Sequence, residues 1–450
     1  MKRYEAYKPT GLEWYPAIPQ GWEWRYLFQV AHEQTIKKPA GEMYPIMTLS
    51  YGEIKRKKNT ETGLLPSNYD SYQMLYKGNI VLRLIDLQND HTSLRTGLVK
   101  ETGIITSAYT CIMPTENPAY AQYLLHSYDT KKVFYGYGGG VRQSIGFKDI
   151  RHLRVPVPPR EEQDQIVRYL DWQVSKINRL IAAKRIQIQL VDEHRRSLIC
   201  HRIMVSTKEA CGYKESGINW CSSIPAHWDI LNLSQVTTER LEKNTGLVEK
   251  NLLSLSYGRI VQKDINTTEG LLPASFEGYQ IVNPDNIILR LTDLQNDHKS
   301  LRVGLSHQRG IITSAYVCLC VRDNILPEYL YMQLHSADLC KVFYGMGGGV
   351  RQSIGYKDIR KLLIAVPPIE EQEKIVESIT NCLKPYDKVL ESLEAEINSL
   401  FDLRTRLISD VVTGQVDVRG IEVPEFEYVG EAIESDENNA EVLEESEEAD

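Results

Sequence analysis

The chain has 450 residues, of which 42% are hydrophobic and 25% are charged. This composition is typical of a globular protein of about two to four domains. No apolar run approaches the roughly 18 residues that span a bilayer, and the first residues lack the apolar stretch of a secretory signal. The eight cysteines contain no C-x-x-C pair, which favours reduced thiols over a disulfide framework or a cysteine metal site. These features predict a cytoplasmic protein without a membrane span.

The net charge of −8 is unevenly distributed along the chain. Thirteen of the 60 acidic residues lie between Glu422 and Asp450, where there is no lysine or arginine, so the preceding residues carry 52 basic against 47 acidic side chains. A mildly basic body permits binding to a phosphate backbone. Residues 414–450 are rich in like charge and poor in aromatic side chains, which predicts an acidic, disordered tail.

Nearly all of residues 11–410 is a single unit that is used twice. The segment GLEWYPAIPQGW, which begins at Gly11, matches GINWCSSIPAHW, which begins at Gly217. The segment VFYGYGGGVRQSIG at Val133 matches VFYGMGGGVRQSIG at Val342. The offset between the copies changes only from 206 to 209 residues. This period is too long for a solenoid and indicates a duplicated pair of domains.

The first part of each copy, residues 1–159 and 207–368, alternates short β-rich runs with turn signals and short helical pieces. This pattern predicts a compact α/β (α+β) domain in each copy, which we call head 1 and head 2. The second part, residues 160–206 and 369–413, has apolar side chains at alternating spacings of three and four, which predicts a long helix with a heptad seam. The predicted seam residues are Leu170, Ile177, Ile181, Ile188, Ile379, Leu390, Leu393, Ile397 and Leu400.

Two long helices that share one heptad register favour an antiparallel coiled coil that holds the two heads apart with pseudo-two-fold symmetry. The alternative for one such helix is a packed element of a domain core.

Two motifs recur at equivalent places in both copies. W-x-x-x-I-P-x-x-W begins at Trp14 and Trp220, and V-P-P-x-E-E-Q begins at Val157 and Val366. Together with the order of head, helix, head and helix, these motifs resemble the DNA-specificity subunits of type I restriction-modification enzymes, over residues 11–413.

The resemblance implies a restriction-system protein in which each head is a target-recognition domain for one half of a bipartite site on double-stranded DNA. It also implies that the helices set the spacing between the half-sites and dock two adenine-N6 methyltransferase (modification) subunits. Restriction-translocase subunits would join that complex. S-adenosylmethionine would then be held by the methyltransferase subunits, and this chain would hold no cofactor or metal and perform no chemistry.

The sequence itself gives little support to rival functions. NPAY at Asn117 is similar to the N-P-P-Y motif of adenine methyltransferases, but its counterpart at Leu326 reads LPEY, so a turn before a short helix is the alternative. No phosphate-binding G-x-x-x-x-G-K-[ST] loop and no repeated metal-binding cluster occurs in the sequence. The alternative functions are a stand-alone DNA methyltransferase and a coiled-coil scaffold without affinity for nucleic acid.

The duplicated glycine-rich segment is the first candidate for DNA contact. Glycine lets the backbone approach a surface closely, arginine suits guanine and glutamine suits adenine. The alternative is a tight connection whose arginine pairs with a carboxylate. The candidate residues are Gly139, Arg142, Gln143 and Ser144 in head 1 and Gly348, Arg351, Gln352 and Ser353 in head 2.

The second candidate is RLIDLQNDH in head 1 with RLTDLQNDH in head 2, although Asn-Asp is also an ordinary turn and the arginines could hold a phosphate or a buried acid. Tyr51 and Tyr257, each in an SYG segment, could line the groove or belong to the core. Because the candidate reading segments have nearly the same sequence in the two heads, the half-sites are predicted to be near inverted repeats. The candidates of the second segment are Arg83, Asp86, Gln88, Asn89, His91, Arg290, Asp293, Gln295, Asn296 and His298.

Overall fold

The described part of the chain forms two compact units, one of Met1–Lys184 with residues 394–430 and one of Arg185–Leu393. In the part of the chain that the structure describes, no helix is both long and apolar enough to cross a membrane. The structure, a computed structural model, describes all residues except 1, 13, 51, 58–68, 86, 88–93, 138–144, 207–211, 257, 264, 266–274, 293, 295–300, 347–353 and 431–450.

Short strands build head 1. They are β1 (Tyr7–Leu12), β2 (Tyr15–Pro19), β3 (Glu23–Tyr26), β4 (Ala31–Gln34), β5 (Met47–Ser50), β6 (Glu53–Arg56), β7 (Gln73–Leu75), β8 (Ile80–Leu82), β9 (Thr96–Leu98), β10 (Gly103–Ile105), β11 (Thr110–Pro114) and β12 (Arg154–Val157). The helices are α1 (Leu27–Val30), α2 (Pro118–Thr130), α3 (Phe147–Ile150) and α4 (Arg160–Arg202), with a 3-10 helix at Val133–Gly136.

Four of these strands form an antiparallel sheet in the order β4-β11-β8-β9, and the others pair as β1-β2, β3-β12, β5-β6 and β7-β10. The central strand β8 is fully buried because Ile80, Val81 and Leu82 are all apolar. Strand β12, the last of the head, pairs with β3 from Arg154 opposite Tyr26 onward. This pairing brings the end of the head, and therefore the start of α4, back to its beginning.

The NPAY segment forms the start of a helix. This agrees with the alternative to a methyltransferase motif, which was a turn before a short helix. The Asn117 side chain accepts hydrogen bonds from the backbone amides of Ala119 and Tyr120, at 2.9 and 3.2 Å. Pro118 occupies the first turn of α2, where its missing N–H costs nothing.

The second unit repeats this plan. Its strands are β13 (Tyr213–Ile218), β14 (Cys221–Pro225), β15 (Asp229–Asn232), β16 (Thr237–Arg240), β17 (Leu253–Ser256), β18 (Arg259–Gln262), β19 (Gln280–Val282), β20 (Ile287–Leu289), β21 (Val303–Leu305), β22 (Gly310–Ile312), β23 (Val317–Val321) and β24 (Leu363–Val366). The helices are α5 (Leu233–Val236), α6 (Pro327–Leu339), α7 (Tyr356–Ile359) and α8 (Ile369–Val412), with 3-10 helices at Phe276–Gly278 and Val342–Gly345.

The strand pairing in head 2 corresponds strand for strand to that in head 1. The four-stranded sheet has the order β16-β23-β20-β21, and β15 pairs with β24 as β3 pairs with β12. The core includes the fully buried side chains of Trp228, Tyr329 and Phe343. The sequence duplication is therefore also a duplication of the fold of the head.

The long helices α4 and α8 each contribute residues to both units, because the boundaries between units fall inside them. All nine predicted seam residues are buried or half-buried. In the first unit, Arg404 donates a hydrogen bond to Asn178 Oδ1 at 2.9 Å. In the second unit, Arg195 pairs with Asp387 at 2.7 Å. Arg195 and Arg404 are 209 residues apart, as are Asn178 and Asp387, so one contact recurs at equivalent positions.

Part of the predicted disordered tail is ordered, which corrects the prediction for residues 414–430. The Gln165 side chain of α4 donates hydrogen bonds to the carbonyls of Val418 and Ile421, at 3.0 and 2.7 Å. Farther along, the Val429 amide donates to Ser175 Oγ at 3.0 Å. This stretch, which we call the strap, therefore runs along α4.

The prediction failed because it averaged the composition over the whole tail. Most of the acidic residues follow residue 430, whereas the strap carries apolar side chains whose burial stabilises it against the protein. The most buried of these are Val416, Val418 and Val423. Residues 431–450 lie outside the described residues.

Candidate nucleic-acid interface

Two of the predicted DNA-contacting residues, Arg83 and Arg290, belong to the described part of the chain. Each follows the central strand of its sheet, β8 or β20. Arg83 is half-buried and Arg290 has only 6% of its surface exposed, so little of the Arg290 guanidinium is available to DNA. This burial favours a structural role for Arg290, and DNA contact by either arginine stays a prediction.

The other predicted residues lie outside the described residues. They are Tyr51, Asp86, Gln88, Asn89, His91, Gly139, Arg142, Gln143, Ser144, Tyr257, Asp293, Gln295, Asn296, His298, Gly348, Arg351, Gln352 and Ser353.

The described flanks of the reading segments meet in head 1. The Ile145 amide, which follows the glycine-rich segment 138–144, donates to the Leu84 carbonyl at 2.9 Å. Leu84 precedes the segment 86–93, so the end of one candidate segment is bonded to the start of the other. Gly146 then caps the start of α3, and its amide donates to Asp149 Oδ2 at 2.8 Å.

Head 2 has the same connection. The Ile354 amide donates to the Leu291 carbonyl at 3.0 Å, and the Gly355 amide donates to Asp358 Oδ2 at 2.8 Å. The flanks of the glycine-rich segment and of the polar segment are thus joined in both heads by the same backbone bond.

The glycine of each SYG segment packs against the leucine that follows the polar segment of its head. In head 1, Ser50 pairs with Glu53 across the β5-β6 hairpin, and Gly52 has a φ of +79° in the turn. A Cβ at Gly52 would lie 3.3 Å from Leu94 Cδ1, and one at Gly258 in head 2, where φ is +76°, would lie 3.1 Å from Leu301 Cβ. Both the left-handed backbone and the close packing therefore favour glycine.

An arginine that was not singled out from the sequence, Arg95, joins the flanks from inside the head. It is completely buried, and its Nη1 donates to the carbonyls of Arg83 and Ile85 at 3.0 and 2.8 Å. Its Nε donates to the Tyr135 hydroxyl at 3.0 Å, and its backbone amide donates to Asp129 Oδ2 at 2.6 Å.

Arg302 has the same contacts in head 2 and is also completely buried. Its Nη1 donates to the carbonyls of Arg290 and Thr292 at 3.2 and 2.7 Å, and its Nε donates to the Tyr344 hydroxyl at 3.0 Å. The signal in the sequence was the S-L-R triplet that follows the polar segment in both copies.

A lysine adds positive charge beside each of these tyrosines. Lys132 Nζ lies 4.9 Å from the centre of the Tyr135 ring, and Lys341 Nζ lies 4.6 Å from that of Tyr344. Both lysines have a φ of 58°, a left-handed conformation that is uncommon for lysine. The same uncommon backbone conformation therefore recurs in both heads at the turn that precedes the glycine-rich segment.

The two duplicated motifs touch each other where head 1 meets α4. Glu162, from V-P-P-x-E-E-Q, accepts hydrogen bonds from Trp22 Nε1 at 3.1 Å and from the Tyr4 hydroxyl at 2.6 Å. Gln163, which is fully buried, accepts one from the Asn117 amide at the start of α2, at 3.0 Å. The motif therefore holds the first turn of α4 to the head.

The corresponding residues of head 2 act in the same way. Glu371 accepts hydrogen bonds from Ser206 Oγ at 2.6 Å and pairs with His227 Nε2 at 2.8 Å. Burial raises the pKa of the Glu371 carboxyl, but the hydrogen bonds from Ser206 and His227 outweigh it and the net shift is downward. Gln372 accepts a bond from the Leu326 amide at 2.7 Å.

Among the described residues, no group of three or more His, Cys, Asp or Glu side chains is arranged to hold a metal ion. In each head, the flanks of the two candidate segments therefore meet at one buried arginine. Hydrogen bonds also hold the head to the first turn of a long helix.

Comparison with known proteins agrees with this architecture. Residues 100–190 and 308–400 match the family described as "Type I restriction modification DNA specificity domain". A protein of Methanocaldococcus jannaschii, named as a type I restriction enzyme MjaX specificity subunit, is 23% identical over 330 residues, which is 68% of this chain and 71% of that protein.

Solved structures are also similar. One, described by complex assembly and conformational transition of the type I R-M system, has a TM-score of 0.52 and 14% identity and covers 89% of this chain and 99% of that chain. At this identity the likeness concerns the fold alone. The crystal structure of the HsdS subunit from Thermoanaerobacter tengcongensis covers 89% of this chain and 98% of that chain, with a TM-score of 0.37 and 14% identity. The resemblance predicted from the sequence is confirmed, because residues 100–190 and 308–400 each match the type I restriction modification DNA specificity domain.

Proposed function

We propose that the two heads read the two halves of an interrupted DNA sequence on behalf of adenine-N6 methyltransferase subunits, and that this chain performs no chemistry itself. The observation that carries the proposal is the duplication of the candidate interface. In each head, one backbone bond and one buried arginine join the flanks of the same two polar segments.

The domains in this proposal are those expected from the sequence. Residues 1–159 and 207–368 are the target-recognition domains, residues 160–206 and 369–413 the spacer helices, and residues 414–450 the acidic tail, of which residues 414–430 are the strap. Affinity would come from lysine and arginine on phosphates, and specificity from side chains of the candidate segments on base edges.

The two spacer helices would pair as an antiparallel coiled coil with pseudo-two-fold symmetry. Contacts within each unit support this, because higher residue numbers in α4 meet lower ones in α8. In the first unit, Asn178 contacts Arg404 and Lys184 forms an ion pair with Glu396. The recurrence of the arginine contact at Arg195 in the second unit supports the two-fold relation.

Exposed apolar side chains on the helices support docking of methyltransferase subunits. Leu180, Ile186 and Leu190 of α4 are 52–58% exposed, and Leu403 of α8 is 52% exposed. Several large apolar side chains on the outside of a helix are typical of a surface that a partner covers.

The two half-sites would be near inverted repeats, since the duplicated segments differ at few positions. The test is to methylate a randomised duplex DNA pool with this chain in complex with its methyltransferase subunits, and to sequence the N6-methyladenines. We expect one interrupted motif whose halves are nearly symmetric. Two dissimilar halves would refute the symmetry, and methylation without sequence preference would refute the reading function.

A further inference from the structure

Each head contains one completely buried arginine. The reading of DNA by surface loops does not by itself explain why an arginine is buried there. A guanidinium stays charged at all physiological pH values, and burying a charge is costly unless hydrogen bonds compensate it. Both copies of the head nevertheless bury one, Arg95 and Arg302, with no exposed surface.

The contacts of Arg95 show what it joins. Its Nη1 binds the carbonyls of Arg83 and Ile85, on the side where the polar segment 86–93 begins, and Arg95 itself lies just after that segment. One side chain thus closes the base of the segment. It also donates to the hydroxyl of Tyr135, which precedes the glycine-rich segment by only a few residues.

A second connection completes the arrangement. The Ile145 amide, on the far side of the glycine-rich segment, donates to the carbonyl of Leu84, which lies between the two carbonyls that Arg95 binds. Both ends of both candidate segments are therefore tied to the stretch 83–85 or to Arg95. In head 2, Arg302, Tyr344 and the Ile354–Leu291 bond repeat the pattern.

We propose that Arg95 and Arg302 are positioning residues that fix the two DNA-reading segments of each head relative to each other. The inference rests on the proposed function, because it assumes that these segments read bases. Fixed loop bases lower the cost of ordering the loops on DNA and hold several side chains in one register against the base edges. Lysine cannot replace arginine here, since one ammonium group cannot span the diverging acceptors that the planar guanidinium reaches.

The test uses the complex of this chain with its methyltransferase subunits and a randomised duplex DNA pool, as for the motif. We compare wild type with Arg95→Lys, Arg302→Lys and, as a matched control, Arg25→Lys, a half-buried arginine of head 1 that pairs with Glu23 and Glu116. The readout is the discrimination against single-base changes, determined separately for each half-site.

We expect Arg95→Lys to lower discrimination about tenfold in one half-site, the size of effect that follows the loss of one or two hydrogen bonds to a charged group. Arg302→Lys should do the same in the other half-site, and Arg25→Lys should change neither. Tyr135→Phe, which removes the hydroxyl that accepts a hydrogen bond from Arg95, should lower discrimination in the same half-site as Arg95→Lys. This variant keeps the test valid if Arg95→Lys folds poorly.

A lower melting temperature or slower methylation with unchanged discrimination would show that the arginine only supports the fold, and would overturn the inference. Equal losses in both half-sites would overturn it as well. If the wild-type complex itself shows no sequence preference, the proposed function fails and the inference falls with it; discrimination by wild type that Arg95→Lys and Tyr135→Phe retain refutes the inference alone.

Discussion

Ionisable side chains that are buried or half-buried occupy equivalent positions in the two heads. Besides Arg95 and Arg302, His126 in α2 and His335 in α6 lie 209 residues apart. Burial, together with the smaller effect of the charges of Arg196 and Arg195, lowers the pKa of His335 to about 4. Burial likewise lowers the pKa of His126 to about 4, with Arg404 as the second cause. Arginines of α4 and α8 are therefore close enough to both histidines to disfavour their protonation.

The depressed pKa of His335 predicts a loss of stability on acidification. The unfolded side chain binds a proton below its ordinary pKa of 6.5, whereas the folded one does so only near 4. Between these values the unfolded chain holds more protons, so stability falls as the pH is lowered, by about 3 kcal/mol across the whole window for one histidine. Urea unfolding midpoints at pH 7 and pH 4.5 measure the effect.

Replacement of the histidine should reduce that pH dependence. His335→Phe, which keeps an aromatic ring beside Tyr331, should show a smaller difference between the two midpoints than wild type. His307→Phe, at an exposed position of the same head, should keep the wild-type difference. An unchanged pH dependence in His335→Phe would show that His335 is not the group responsible.

At the scale of elements, the helices were more readily predicted than the strands. The apolar spacing of three and four that begins after Val157 predicted a helix at 160–206, and α4 runs from Arg160 to Arg202. Helical periodicity is a local signal that extends over many residues. The pairing of β12 with β3 depends on residues more than 100 positions apart, and the local pattern contains no information about it.

The candidate site was predictable only in part, for a related reason. The sequence repeat indicated the glycine-rich and polar segments, because both copies of the repeat contain them. They could not indicate that Leu84 and Ile145 are bonded to each other, or that Arg95 is buried. Arginine is mostly an exposed residue, so its type alone suggested a surface role.

The strap leads to a prediction about the C-terminal residues. A chain that ends at Thr413 should lose the buried side chains of Val416, Val418 and Val423, each worth about 1.5 kcal/mol or more in buried apolar area. We expect its first unit to melt several degrees lower than in wild type. A chain that ends at Gly430 keeps the strap and serves as the control, with a melting temperature close to that of the full chain. Equal melting of both truncated chains would show that the strap does not stabilise the unit.

At the scale of the whole molecule, the proposed function needs a constant distance between two reading surfaces. The contacts at both head–helix junctions are suited to this, because Gln163 and Gln372 each fix the first turn of a long helix to a helix start of its head. A head that is clamped in this way cannot tilt freely on its helix. The length of the helical pair would therefore determine the gap between the half-sites.

Insertion of one heptad into each of α4 and α8, at equivalent positions of the seam, tests this relation. Seven residues lengthen a helix by about 10 Å, which corresponds to at most about three base pairs of B-form DNA. The heptad keeps the apolar residues in register, so the pair should still form. We expect the methylated motif to keep the bases of both half-sites while the gap between them grows.

Seven residues inserted after Gly430, outside the helices, should change neither the gap nor the bases. A changed half-site in the heptad variant would show that the helices influence how the heads read bases. An unchanged gap would show that something other than helix length sets the distance, and the heads would then have to be mobile on their helices despite the buried contacts of Glu162 and Glu371.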